Sequence, residues 1–415
     1  MTANITDMPG APRDTAAPAV DYTTFDADNH YYEATDAYTR HIDPAMAKRA
    51  MQWAEIDGRR RLLVGGKVNK FIPNPTFDPV AKPGSLDQYF RGRNPGNKDM
   101  RSLFGDLEPI RPEYRDREAR LAVMDRQGLD GCLLFPTLGV GMEEALAGDP
   151  PALVAAFTAF NRWLEDDWGF AYRERIFAAP MITLVDVEAA VGELSRVLNA
   201  DARVIGVKGG PAHSPIGLIS PADRRFDPFW GLVNESGVTV AIHSGDAGYG
   251  RYLNDWEPIS DFEAFRHSPL RSVISSDRPP FETMAALVCQ GLFDRFPNIR
   301  VASIEAGANW VPVLINKLAK AYGQMPSAFL SDPVETFREH VWVAPFYEDD
   351  MALLKEVLGV DRLLFGSDWP HAEGLPEPRD FALDLRRNGL AEGDIRVIMS
   401  DNGRALTARG TCRGR

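Results

Sequence analysis

Residues 238–246 read VTVAIHSGD. The run VTVAI is apolar on both alternating faces, then stops at His243 and a polar Ser-Gly-Asp turn. A strand buried on both faces belongs to a parallel sheet covered by helices on either side. Working outward, the same design recurs along the chain. Thr23–Asp28 (TTFDAD), Gly131–Pro136 (GCLLFP), Ile176–Leu184 (IFAAPMITL) and Val204–Lys208 (VIGVK) precede it. Arg300–Glu305 (RVASIE), His340–Ala344 (HVWVA) and Arg362–Asp368 (RLLFGSD) follow it. Helical periodicity fills the gaps at Val187–Leu198, Thr283–Phe293 and Asp350–Leu358. Ser220-Pro221 reads as the capped start of a helix that includes Phe229–Val233. Eight such strands alternating with helices predict an α/β fold, a single (β/α)8 TIM barrel over residues 21–408.

Length and composition agree with one large domain. The chain has 415 residues, 44% hydrophobic and 25% charged, ordinary values for a globular protein. Its formal net charge is −13, and no basic patch is visible, which argues against nucleic acid as a partner. No apolar run reaches the ~20 residues of a membrane span. Cys132, Cys289 and Cys412 lie far apart without CxxC spacing, so they read as reduced thiols of a cytoplasmic protein. Residues 1–20 contain Pro, Gly and charge but no apolar core of a signal peptide, and read as a disordered leader.

About a hundred residues separate the first two strands. Within them, residues 62–111 are rich in Gly, Pro, Asn, Arg and Lys (GGKVNKFIPNPTFDPVAKPGS, RGRNPGNKDMRS). A long connection on the catalytic face of a barrel predicts a lid, with Lys70, Arg91 and Arg93 as candidate contacts for an anionic substrate. The helix AFNRWLEDDWGF carries Trp163 and Trp168, which are assigned to packing.

The chemistry gathers at strand ends. Asp28 and His30 are two apart and share a side of the first strand. His243 ends the fifth strand and Asp368 the eighth. Each residue alone reads equally well as a turn, a cap or a hydrogen-bonded core residue. Together they place two carboxylates and two imidazoles where barrel strands converge, a donor set suited to Zn, Mn or Fe with an open position. No phosphate-binding glycine motif and no GxSxG elbow is present.

The motifs DADNHYYE, VAIHSGD, SIEAGANWVP and LLFGSDWPHAEG, spread over residues 23–376, resemble the amidohydrolase-related family (amidohydrolase 2). This branch of the amidohydrolase superfamily includes aminocarboxymuconate-semialdehyde decarboxylase and γ-resorcylate decarboxylase. The resemblance implies one divalent metal ion, Zn first with Mn or Fe as alternatives, held by Asp28, His30, His243 and Asp368. Asp28 stands where the characterised decarboxylases have His or Glu. Glu305 stands where those that use an acid/base His place it, so Glu305 and Asp368 are the candidate proton carriers, with His243 beside them. Lys208 stands at the strand end where two-metal branches carry a bridging Lys. Here it is a candidate contact for a substrate carboxylate, as are His371 and Arg91, with Glu373 near the site. The expectation is a homodimeric enzyme that decarboxylates, or hydrolyses, a small carboxylated aromatic or ring-derived substrate. The competing expectation is an inactive barrel serving as a binding scaffold.

Overall fold

The structure is a computed structural model that describes residues 20–408 apart from 95, 259–267 and 276. The expected leader, save Val20, and Cys412 lie outside these residues. The strands in chain order are β1 (Thr24–Tyr31), β2 (Met51–Ile56), β3 (Arg59–Val64), β4 (Lys67–Val68), β5 (Leu129–Pro136), β6 (Ile176–Ala178) and β7 (Met181–Ile182). They continue with β8 (Val204–Val207), β9 (Ala212–Ser214), β10 (Gly217–Ile219), β11 (Thr239–His243), β12 (Arg300–Ile304) and β13 (Val341–Val343).

Two parallel sheets carry the fold, in the orders β1-β5-β6 and β7-β8-β11-β12-β13. They meet at both margins. The run expected as one strand over 176–184 breaks at Ala179-Pro180, where Ala179 N donates to Leu134 O on one side and Gly206 N to Pro180 O on the other. The run expected as a strand over 362–368 forms only isolated bridges, Val343 with Leu363 and Asn29 with Trp369. Its backbone still reaches both neighbours: Leu364 N donates to Val343 O at 2.8 Å, and Ala27 N to Phe365 O at 2.7 Å.

Side-chain alternation explains the packing. Phe25, Leu133, Phe177, Val204, Ala241 and Ala302, each from a different strand, join Leu364 in one buried apolar cluster. Their neighbours in sequence, such as Cys132, Ile205 and Val301, point the other way into a larger cluster shared with the helices. Those helices begin at side-chain caps. Asp186 Oδ1 accepts from Ala189 N to start Val187–Asn199, and Asp350 Oδ1 from Leu353 N to start Met351–Leu358. The helix expected after Ser220-Pro221 starts instead at Asp227, with Pro228 in its first turn. Trp163 and Trp168 are buried against Tyr31, at 5.6 and 5.5 Å between ring centroids, in the packing role expected. Cys132 and Cys289 are free thiols. Among the described residues no helix is long and apolar enough to cross a membrane.

The connection from β1 to β5 is more ordered than its composition suggests. Residues 51–68 form the antiparallel sheet β2-β3-β4. Its two-residue turns, Asp57-Gly58 and Gly65-Gly66, have φ between 51° and 75°, the conformation that favours glycine in tight hairpins. The segment expected as a lid from residue 62 therefore starts with a strand. The residues after that sheet are stitched to the loop beyond Asp368: Gly84 N donates to His371 O and Leu86 N to Ala372 O.

One buried carboxylate ties β1 to the 362–369 segment. Asp26 is fully buried and accepts four hydrogen bonds, from Asp28 N (3.1 Å), Asn29 Nδ2 (2.9 Å), Ser367 N (3.0 Å) and Ser367 Oγ (2.5 Å). Asn29 Oδ1 in turn accepts from Arg120, a buried guanidinium that also donates to His30 O and lies over the rings of Trp168 and Trp369. Burial pushes the Asp26 carboxyl up to about 7 against the pull of its donors. Asp26→Ala strands those donors, each left buried without a partner at ~1–3 kcal/mol. The variant is expected to lose about 4 kcal/mol of stability or more, read as a lowered urea midpoint. An unchanged midpoint would remove Asp26 from this role.

Candidate metal centre

The donor atoms come from four places that the fold brings together. β1 supplies Asp28 and His30, although the β1–β5 register slips between Asp26 and Asn29. The last residue of β11 is His243, and Glu305 follows β12. Asp368 N donates to Asp28 O at 2.8 Å, which fixes the last carboxylate beside the first. Glu305 and Asp368 both lie in the left-handed region, at φ 50° and 56°. Non-glycine residues are rare there, and such strain concentrates where a side chain must be aimed at a site. A Cβ on Gly366 would stand 2.7 Å from Asp28 Cβ, so that position admits only glycine beside the ligand-bearing strand.

The spacings are tight. Asp28 Oδ1 lies 3.3 Å from His30 Nε2 and 3.4 Å from His243 Nε2. The two Nε2 atoms are 3.2 Å apart, and His30 Nε2 is 3.4 Å from Asp368 Oδ1. Glu305 Oε2 is 3.4 Å from His243 Nε2. His243 Nδ1 donates to Ser244 O at 2.7 Å, which leaves the Nε2 lone pair facing the cluster. His30 Nδ1 is buried with no partner among the described residues. The donors of Asp28, His30 and His243, about 3.3 Å apart, form one face of a tetrahedron around an ion with ~2.1 Å bonds, and Asp368 stands beside His30. The residue types and their spacing thus fit a divalent transition ion.

The electrostatics point the same way. Burial opposes charge on Asp28, yet His243 and His30 hold its carboxyl well below the usual range. Glu305 is pushed well above it by burial and by Asp368, and Asp368 by burial, Glu373 and Asp28. Burial and His371 press His30 downward, whereas Asp28 and Glu305 outweigh burial and raise His243. Four carboxylates crowd three imidazoles in a buried pocket, and a divalent cation would offset the repulsion among the carboxylates.

His371 adds a proton-sharing pair. The single Thr137 hydroxyl hydrogen goes to Tyr31 O at 2.8 Å, so His371 Nε2, 2.8 Å away, must be the donor to Thr137 Oγ1. His371 Nδ1 then faces Asp368 Oδ1 at 2.5 Å with one proton between them. The ring also lies 4.0 Å from that of His30. Asp26, Arg120 and Thr137 were missed in the sequence. Asp26 alone had a signal there, two residues before Asp28 on the same alternation.

Asp28, His30, His243, Glu305, Asp368, His371 and Glu373 line one cavity of about 1330 Å³, and residues between Phe71 and Leu107 line it as well. Lys208 and Arg91, expected at the substrate, are elsewhere. Lys208 pairs with Glu144 at 2.9 Å, donates to Pro211 O and borders a separate small cavity behind His243. Arg91 is held by Asp87 at 2.7 Å and Asp384 at 3.2 Å and stacks on Tyr347. Both cations are paired with carboxylates, and neither is among the described lining residues of the large cavity. Lys70 and Arg93 are likewise absent from its described lining.

Comparison with known proteins places this geometry. The model of the family described as amidohydrolase matches residues 71–406. A solved amidohydrolase from Mycobacterium avium subsp. paratuberculosis K-10 is 43% identical, with a TM-score of 0.88 over 94% of this chain and 100% of that one. A γ-resorcylate decarboxylase of Rhizobium radiobacter is 25% identical over 308 residues, 70% of this chain and 86% of its own. The fold is shared with a dihydroxybenzoic acid decarboxylase from Polaromonas sp. JS666, solved with manganese and 2-nitroresorcinol. That pair has 17% identity and a TM-score of 0.52, over 78% of this chain and 93% of the other. The chain belongs to the amidohydrolase family.

Proposed function

We propose that the protein is a divalent-metal-dependent enzyme that removes a carboxyl group from an aromatic or ring-derived acid. The observation that carries this is the convergence of Asp28 Oδ1, His30 Nε2 and His243 Nε2 at 3.2–3.4 Å, with Asp368 Oδ1 3.4 Å from His30 Nε2, in the lining of a large cavity. The decarboxylase relatives support the choice of reaction. The fold underlying it is a closed (β/α)8 barrel with residues 363–368 as the eighth strand, supported by the backbone bonds from that segment to both β1 and β13. Residues 71–107 act as the lid over its mouth.

A bound divalent ion would supply Lewis-acid polarisation of the substrate's oxygens. Manganese, present in the Polaromonas relative, suits the mixed imidazole–carboxylate set, as do zinc and iron. The chain's own residues do the rest. His30 and His243 present Nε2, with His243 oriented by Ser244 O. Glu305 carries the proton: its carboxyl delivers H⁺ to the ring carbon that bears the carboxylate, the carbon–carbon bond breaks, and carbon dioxide leaves with the ring's aromaticity restored. The Asp368–His371 pair, anchored by Thr137, holds a second proton at the same wall. A scaffold without catalysis would have no need of two strained carboxylates aimed into one pocket.

Two variant sets test the reading. His243→Ala and Asp368→Ala are expected to lower the bound manganese or zinc of the purified protein, measured by elemental analysis, and to abolish carbon dioxide release. Full metal content in both would contradict the ligand assignment. Glu305→Gln is expected to keep its metal and to lose at least ~10²-fold in turnover, the scale of general acid–base catalysis. Loss of metal in that variant would make Glu305 a ligand instead. Adding manganese at ~100 times its dissociation constant should stabilise the native protein by about 2.7 kcal/mol. No shift in the thermal midpoint would argue against a built site.

A further inference from the structure

The cavity is far larger than a one-ring acid requires, and its lining beyond the donor cluster is largely apolar and aromatic. Its volume of about 1330 Å³ exceeds the ~300–1,000 Å³ of sites that enclose drug-sized ligands. Two parts of the chain supply most of the apolar lining beyond the donor cluster. The connection from β1 to β5 contributes Phe71, Phe77, Phe90 and Phe104, and the loops after β13 and Asp368 contribute Phe346 and Leu375. Leu107 lines the cavity as well and is half exposed. Among the described lining residues, every charged side chain is a carboxylate or an imidazole, and none is Lys or Arg. Of the four cations that sequence placed here, none is among the described lining residues, and Lys208 and Arg91 pair with Glu144, Asp87 and Asp384.

These observations separate two regions. At the floor, the donor cluster accepts an oxygen-bearing head group through its cation. Beyond it, apolar walls reward buried hydrocarbon, at about 25 cal/mol per Å² removed from water, and the lining carboxylates of Asp99 and Glu348 disfavour a second anion. We infer that the substrate is an aromatic acid with a large apolar body, a long hydrocarbon arm or further rings, whose only anionic group is the one at the metal. The inference rests on the reading of this cavity as the substrate site. It assigns residues 71–107 the job of selecting substrate size and polarity, beyond closing the mouth.

The test uses the full-length, manganese-loaded protein and a series of 2-hydroxybenzoates with hydrogen, butyl or octyl at the ring position opposite the carboxylate. Isothermal titration calorimetry gives each dissociation constant below the micellar range. Full burial is worth about fourfold per methylene, so the octyl compound is expected to bind at least ~100-fold more tightly than the parent, with one-to-one stoichiometry. A terminal sulfonate on the arm should erase that gain. Leu107→Asp and Phe104→Asp should each reduce the octyl advantage about tenfold. A flat series, an arm sulfonate that binds as well as the alkyl chain, or an advantage untouched by both variants would overturn the inference. Carbon dioxide release is scored separately. A rising series without release supports the apolar body and removes the decarboxylase reading, while release from the parent acid with a flat series does the reverse.

Discussion

The carboxylate of Asp26 is the constraint on which the site depends. It lies two residues before Asp28 and gathers donors from β1 and from Ser367, one residue before Asp368. Those two segments are some 340 positions apart in sequence, and the register between them sets whether two metal-facing carboxylates meet. A buried carboxylate is costly unless its lone pairs are met, and here four donors meet them. Arg120, clamped between Trp168 and Trp369, extends the network through Asn29 and brings a buried positive charge near the buried negative one. The chain thus places its ordering interactions directly beneath its reactive ones, as preorganised sites require.

Above that layer the balance reverses. The cluster of Asp28, Glu305, Asp368 and Glu373 is under-compensated by His30 and His243, and burial with mutual repulsion pushes three of the four carboxyls upward. The left-handed backbone at Glu305 and Asp368 stores further strain at the same place. A molecule stabilised by a large apolar core concentrates its local conflicts where a cation and a substrate would relieve them.

Much of this was legible in the sequence, and the limits are physical. Runs such as VTVAIH and RVASIE appear because both faces of a parallel strand are buried, so β11 and β12 are found almost to the residue. The 176–184 run was longer than either strand it became, because Pro180 lacks an N–H and breaks the ladder. RLLFGSD read as a strand although its pairing reduces to isolated bridges, since Gly366 and the left-handed Asp368 interrupt regular pairing. The antiparallel sheet at 51–68 is not evident from the sequence despite two hairpin turn pairs, Asp57-Gly58 and Gly65-Gly66, because its strands mix apolar and charged residues without clean alternation and are partly exposed. Strand ends located Asp28, His30, His243, Glu305 and Asp368. Charge along the chain did not reveal that Lys208 pairs with Glu144 and Arg91 with Asp87 and Asp384, because such pairing is a tertiary fact.

The central claim is that one divalent ion sits among these donors. Crystals of the full-length protein grown with manganese, measured at the manganese absorption edge, test it most directly. The account predicts one anomalous peak per chain within bonding distance of Asp28, His30 and His243, with Asp368 at its side. A map without a peak there, or with its peak on other residues such as the Lys208–Glu144 pair, would contradict it.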